Sequence, residues 1–371
     1  MLNHLPGSLN SGIPEVTSSQ TQPIAYPLRE TDAERWTRFV TEHPEANLYH
    51  TLLWRDIIRE IFGHQPFYLL CESEGNLTGI LPLFLVRFPF LGSKLISIPY
   101  DIGSGGALVS DEASELALVE QAIKLAQEMQ VNYLELRYGS SRPALARLQL
   151  AQSEPVLISE MELDSEEQVL ACLKEDHRKA IRKAQNRGVI VREARSLEDF
   201  RTFYQIYLQV FHDFGTPPYG ANYFPTLWRR LHGSGSVRLL LAYVHQRCVG
   251  GLLLFCWGKN LVSKFAACLP EAVPLRAYVA LYWRAIQLGL ELGYKKLSWG
   301  TSSRNQTGLI EFKERWGART YPAVIYHLPV KGKVPSLEKY YDSQGLTRQL
   351  WRKLPLKVTP SIGGLINRWF C

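Results

Sequence analysis

A mixed α/β fold, built twice along one chain, is what this sequence predicts, and three observations predict it. The 371 residues exceed what one core ordinarily organises and suit two. The composition, 46% hydrophobic and 21% charged, is that of a folded protein and excludes the disordered and fibrous classes. An order of two helices, three strands, a long helix and one further strand recurs more than a hundred residues on. Such recurrence is harder to obtain by chance than any short motif.

The chain divides in order. Residues 1–28 are rich in Ser, Thr, Gln, Pro and Gly without a period and read as a flexible lead. The first unit, 29–155, begins with amphipathic patterns that predict helices over 32–42 and 52–62. Apolar runs at 67–72, 77–87 and 95–99 read as strands, the turn Gly103-Ser104-Gly105-Gly106 follows, and then a helix over 112–129 and a strand over 133–137. The second unit, 156–330, repeats this with helices at 199–211 and 223–231, strands at 237–245, 248–257 and 261–267, a helix at 275–292 and a strand at 296–299. In each unit the first two strands are separated by a short turn, Glu74-Gly75 and His245-Gln246. A basic tail, 331–371, holds eight Lys or Arg against Glu338 and Asp342, with Trp351, Trp369 and Phe370 among them. It reads either as an appendage covering one unit or as a surface for anionic lipid or nucleic acid.

A net charge of +7 and a pI near 9.0 suit nucleic acid, anionic head groups or a phosphorylated substrate without choosing among them. The six cysteines are scattered through apolar runs with no C-x-x-C pair, the pattern of buried thiols. His177, His212 and Cys172 do not form a spaced ligand set, so no metal is expected. No early basic segment precedes an apolar run, and no stretch approaches the ~18 apolar residues that span a bilayer. The expectation is a cytoplasmic protein, peripheral at most to the inner membrane.

Two segments carry the functional signal. Residues 173–189 are helical in composition and stop at Gly188; Arg178 and Arg182 form one basic row and Lys179 and Lys183 another, either a solvated face or a contact for phosphate or tRNA. In 296–318 a strand ends in Gly300-Thr301-Ser302-Ser303, and a short helix then carries Phe312-Lys313 before Trp316-Gly317.

This second segment resembles the FemAB family, in particular the branch found with exopolysaccharide and protein-sorting (exosortase) gene sets, whose second domain is an acetyltransferase of the BioF2-like kind. The family's order of strand, Gly-Arg-Ser-like turn, Gly, Phe-Lys and Trp-Gly is present, with Thr301 where Arg is common. Leu81-Pro82-Leu83, Gly105-Gly106, Leu134-Glu135-Leu136-Arg137, the basic helix and Phe214-Gly215-Thr216-Pro217-Pro218 fall in the family's order too, so the resemblance runs from about residue 30 to 330. It implies two tandem domains of the GNAT (acyl-CoA N-acyltransferase) fold and transfer of an acyl or aminoacyl group to an amine of a cell-envelope precursor. It also implies that Lys313 is linked to catalysis and that the Thr216 loop lies near the substrate groove.

Acyl transfer explains the residue types. Attack of an amine on an ester or thioester carbonyl builds charge on oxygen, which a fixed ammonium stabilises. Lys313, flanked by Phe312 and Trp316, is the candidate ammonium. Asp101 is the candidate base, with capping of a turn as its bland alternative. Arg178, Arg182, Thr216, Ser302 and Ser303 are candidates for binding substrate; neither serine has a His and acid partner at readable spacing, which disfavours a covalent serine.

The expected acyl donor is a co-substrate, aminoacyl-tRNA or acyl-CoA, with no bound cofactor. The expected partners are a phosphorylated or lipid-linked sugar or peptide precursor, and tRNA. The segment 264–275 lacks the Gly-rich run that cradles a pyrophosphate, which counts against simple CoA use. N-acylation of an amino sugar from acyl-CoA and a non-catalytic scaffold in envelope assembly remain as alternatives.

Overall fold

A computed structural model describes residues 22–89, 92–335 and 344–369 and arranges them as mixed sheets flanked by helices. Most of the expected lead and Cys371 lie outside the described residues. The end of that lead, Ile24–Pro27, forms β1 on an edge of the first half. A four-residue edge strand is too short to show a period.

In the first half β1 precedes α1 (Ala33–Glu42) and α2 (Leu52–Phe62). Helix α2 starts where Thr51 Oγ1 accepts the Trp54 N–H at 3.0 Å and stops at Gly63 in the left-handed region. The strands β2 (Gln65–Pro66), β3 (Leu69–Ser73), β4 (Asn76–Leu81), β5 (Phe84–Phe88), β6 (Gly92–Ile96) and β7 (Leu108–Val109) lead to α3 (Glu112–Glu128), then β8 (Tyr133–Tyr138) and β9 (Ala151–Ser153). The single run expected over 77–87 is two strands. Strand β4 sits in the four-stranded sheet β1-β3-β4-β7, and β5 in the six-stranded sheet that begins β2-β5-β6-β8. The break falls at Pro82, which cannot donate to a ladder.

The second half contains β10 (Val156–Glu162), α4 (Glu166–Cys172), α5 (Glu175–Asn186), β11 (Ile190–Glu193), α6 (Leu197–Phe214) and α7 (Tyr223–Leu231). It continues through β12 (Val237–Val244), β13 (Arg247–Trp257), β14 (Asn260–Cys268), α8 (Ala277–Glu291), β15 (Lys296–Ser303), α9 (Thr307–Glu314), β16 (Arg319–Pro322) and β17 (Val324–Pro329). Ser196 and Asp199 form a capping box that starts α6. The tail supplies α10 (Gln344–Trp351) and α11 (Thr359–Asn367).

The repetition is visible in the topology. Each half has a parallel strand pair joined through a crossover helix, β6 and β8 through α3, β14 and β15 through α8. The last strand of the second half then crosses to the first. Strand β10 lies antiparallel to β15 in the sheet β11-β12-β13-β14-β15-β10-β16, while β17 returns to lie antiparallel to β8. Residues 324–329, which follow the second repeat in sequence, therefore complete the sheet of the first. A shared core also ties the halves together: Trp54 and Tyr49 pack edge-on against Phe255, and α2 packs on α7. With this core continuous across the boundary, the groove between the halves has fixed walls.

Candidate active site

The loop after β6 is held in an unusual conformation. Ile98 and Tyr100 have φ of 42° and 67°, the left-handed region that a β-branched residue rarely enters, at a cost of about 1–3 kcal/mol each. A buried ionic network holds it there. Arg137 donates to Glu135 at 2.7 Å and to the Asp101 carbonyl at 2.7 Å, and Lys94 lies 3.4 Å from the other Glu135 oxygen. Burial alone would raise the Glu135 carboxyl, but Lys94 and Arg137 hold it down to about 2. The Tyr100 ring stacks on Phe62 at 3.8 Å, and its hydroxyl meets His64 Nε2 at 2.6 Å.

This loop delivers Asp101 to the second half. Lys264, on β14, donates to Asp101 Oδ2 at 3.0 Å and to the Tyr100 carbonyl at 2.8 Å, and its ammonium lies 5.3 Å from the Tyr49 ring centre. Burial, and then the Asp101 charge, push the Tyr49 phenol far above its usual range. A carboxylate, an ammonium and a neutral phenol thus meet at the boundary.

Beside Lys264 the sheet opens. Strands β14 and β15 pair in parallel only over Asn260–Val262 and Lys296–Ser298, although β14 runs on to Cys268 and β15 to Ser303. Their carboxyl ends diverge, and a crevice at the carboxyl ends of parallel strands is where open α/β sheets bind ligands. Gly300 occupies this point with φ of 68°, and a Cβ there would stand 3.3 Å from the Ser263 carbonyl oxygen. Lys313 braces the far wall: its ammonium donates to Gly300 O (3.0 Å), Thr301 O (3.2 Å) and Ser302 Oγ (2.8 Å). Burial pushes it down to about 8. A role at a reacting carbonyl therefore requires substrate to displace one of three internal acceptors.

The groove between the halves has a volume of about 740 Å³ and reaches this divergence, since Val262 and Ser298, the last paired residues, line it. Its other wall includes Asn47, His50 and the Gly103-Ser104-Gly105 turn. Gly103 lies two residues beyond Asp101.

The remaining candidates are spread out. Phe312 and Trp316 join Trp299, Tyr282 and His177 in an aromatic cluster behind Lys313. Ser303 caps the turn into α9, donating to Asn305 Oδ1 at 2.8 Å. Arg178 is engaged by the Leu170 carbonyl at 3.1 Å, whereas Arg182, four residues on, is exposed on the same helix, which packs against Phe312 of α9 through His177. Thr216 closes the end of α6 by donating its N–H to the Phe211 carbonyl at 2.9 Å, in a loop covered by the tail helices. The sequence reading missed Lys264 and Tyr49. A lone lysine in the apolar strand 261–267 was the available signal. Among the described residues, no cluster of His, Cys, Asp or Glu could hold a metal ion, and no helix is long and apolar enough to cross a membrane.

Residues 173–314, which carry α5 through α9 and so both walls of the crevice, match the family described as acetyltransferase (GNAT) domain. The chain carries a GNAT acyltransferase domain. Around that GNAT domain the whole fold is similar to solved structures. FemX superposes with a TM-score of 0.70 at 14% identity, over 83% of this chain and 97% of that one. L-PGS from Bacillus licheniformis gives 0.56 at 11% identity, over 86% and 97%. A tandem GNAT protein from the clavulanic acid biosynthesis pathway gives 0.51 at 12% identity, over 85% and 99%. At these identities the likeness is one of fold, and it covers both halves of the chain. No curated protein matches the sequence.

Proposed function

We propose that this GNAT protein forms an amide on an amine of a cell-envelope precursor, a phosphorylated or lipid-linked sugar or peptide, using an activated acyl or aminoacyl donor. The observation that carries the reading is the meeting of the inter-half groove with the point where β14 and β15 diverge. A bulky acceptor would lie in the groove and the donor in the crevice. The amine nitrogen attacks the donor carbonyl, the C–N bond forms, and the ester or thioester bond breaks; the amine proton passes to Asp101, which returns it to the departing oxygen or sulfur. Lys264 orients Asp101 through the 3.0 Å hydrogen bond to its Oδ2. Lys313 stabilises the developing oxyanion either by turning to it or through the strand end that it holds. Ser302, Phe312 and Trp316 shape that strand end, and Arg178 and Arg182 meet phosphates approaching along α5. With a lipid-linked acceptor, the reaction would take place at the inner membrane face, the protein itself being cytoplasmic.

Aminoacyl-tRNA is the donor favoured. The β14–α8 connection holds Pro270 and Pro274, which lack the N–H groups that a pyrophosphate cradle uses. Acyl-CoA is the second reading, supported by the match to an acetyltransferase family. Purified protein given charged tRNA and acyl-CoA in parallel, with amine-bearing sugar and peptide precursors, tests both. Amide formation from either donor that is lost in Asp101→Asn supports the reading and selects the donor. Absence of transfer from both, with neither donor bound, would replace it with a scaffold.

A further inference from the structure

The C-terminal helices form a surface that the transfer site does not use. Helix α11 rests on the 215–220 loop: Asn367 Nδ2 donates to the Pro217 and Pro218 carbonyls at 3.1 and 2.8 Å, and Arg368 Nε to the Phe62 carbonyl at 2.7 Å. The Pro218 carbonyl fills the space a side chain at Gly363 would need. The inward face is thus Thr359, Gly363 and Asn367 at four-residue spacing, small and polar. Helical geometry then turns Val358, Ile362 and Leu365 outward, and they are 41%, 36% and 51% exposed. This inverts the usual arrangement, in which the apolar stripe faces the core. Leu350 on α10 and Phe214 at the end of α6 are exposed as well.

The charge around this stripe has one sign. Residues 344–369 contain Arg348, Arg352, Lys353, Lys357 and Arg368 and neither Asp nor Glu. Arg352, Lys353 and Lys357 are exposed. The acid at the edge, Asp213, is engaged by Gln209 at 3.0 Å and lies beside His212.

We propose that α10 and α11 dock the protein on an anionic lipid surface, with Val358, Ile362 and Leu365 entering the boundary between head groups and acyl chains while Arg352, Lys353 and Lys357 meet lipid phosphates. An outward apolar stripe in a wholly basic segment is the pattern of an interfacial helix. A second copy of this chain fits less well, because the same face turned on itself sets lysines and arginines against one another. The docking does not depend on which acyl group moves or on which amine accepts it. It would hold the protein beside a lipid-borne substrate.

Co-sedimentation of the full chain with vesicles tests this, using phosphatidylcholine alone and phosphatidylcholine mixed with phosphatidylglycerol. The expected result is binding to the mixed vesicles that weakens as salt rises. It should fall about tenfold or more in Ile362→Ser/Leu365→Ser and in Lys353→Glu/Lys357→Glu. Both pairs are exposed, and an unchanged unfolding midpoint would show that the variants are folded. Absence of binding to mixed vesicles would overturn the proposal, as would equal binding by the variants. It would equally be overturned by a wild-type dimer that Ile362→Ser/Leu365→Ser dissociates without any lipid binding by either form.

Discussion

Lys264 and Asp101 meet at 3.0 Å although 163 residues separate them, one from the apolar β14 of the second half and the other from the strained loop of the first. Each side chain is largely shielded from water, so either charge without the other is costly. Lys264→Met and Asp101→Asn should each lower stability by about 2–4 kcal/mol. The double variant should recover about 1–2 kcal/mol of the summed loss. Urea unfolding of the four proteins measures this, and strict additivity would show that the pair is not coupled.

Lys313 should reveal itself in a pH profile. Burial pushes its ammonium down to about 8, so transfer should decline as pH rises through that value and the charge is lost. Lys313→Arg, which stays charged, should lose the decline while retaining some activity. Lys313→Met should lose activity by about 100-fold or more and also stability, because three acceptors are left without their donor. A profile unchanged in Lys313→Arg would assign the decline to another group.

Gly300→Ala tests the crevice. Its φ of 68° and the Ser263 carbonyl, 3.3 Å from where a Cβ would stand, should cost about 1–2 kcal/mol. The same change should reduce transfer out of proportion to stability by shifting the diverging strand end. Activity that follows the folded fraction alone would remove the crevice from the mechanism.

Acid should destabilise the protein above the range where carboxylates titrate. Burial holds His50 down to about 3 and His64 down to about 4, so both stay neutral in the folded chain while the unfolded chain takes up protons below about 6.5. Stability present above pH 6.5 is then lost as pH falls toward 4, at up to about 1.4 kcal/mol per unit for each histidine. Denaturant midpoints between pH 7 and 4.5 measure the slope, which His64→Gln should reduce.

Local pattern made the helices α2 and α7 and the strands β12 to β14 legible within a residue or so, because amphipathic period, caps and turn residues act over a few positions. The turns Glu74-Gly75 and His245-Gln246 have positive φ at both residues, as tight hairpins require. The motif around Lys313 was legible as well, since α9 follows β15 directly. The division of 77–87 into two strands was not, because a continuous apolar run does not state which sheet each part joins. Nor was the role of Thr216, which depends on a tail more than a hundred residues away.

By itself the sequence determined the helices and strands of the repeating order, that this order repeats, and which residue types an acyl transfer would need, but it did not mark β10, β11, β16 or β17. Tertiary structure alone decided that β17 leaves its own half to join the sheet of the first, that Asp101 faces Lys264, and that the tail turns an apolar stripe outward. The physical reason is distance along the chain. Periodicity records which face of an element is buried, whereas the partner that buries it is chosen by packing and hydrogen bonding between segments far apart in sequence.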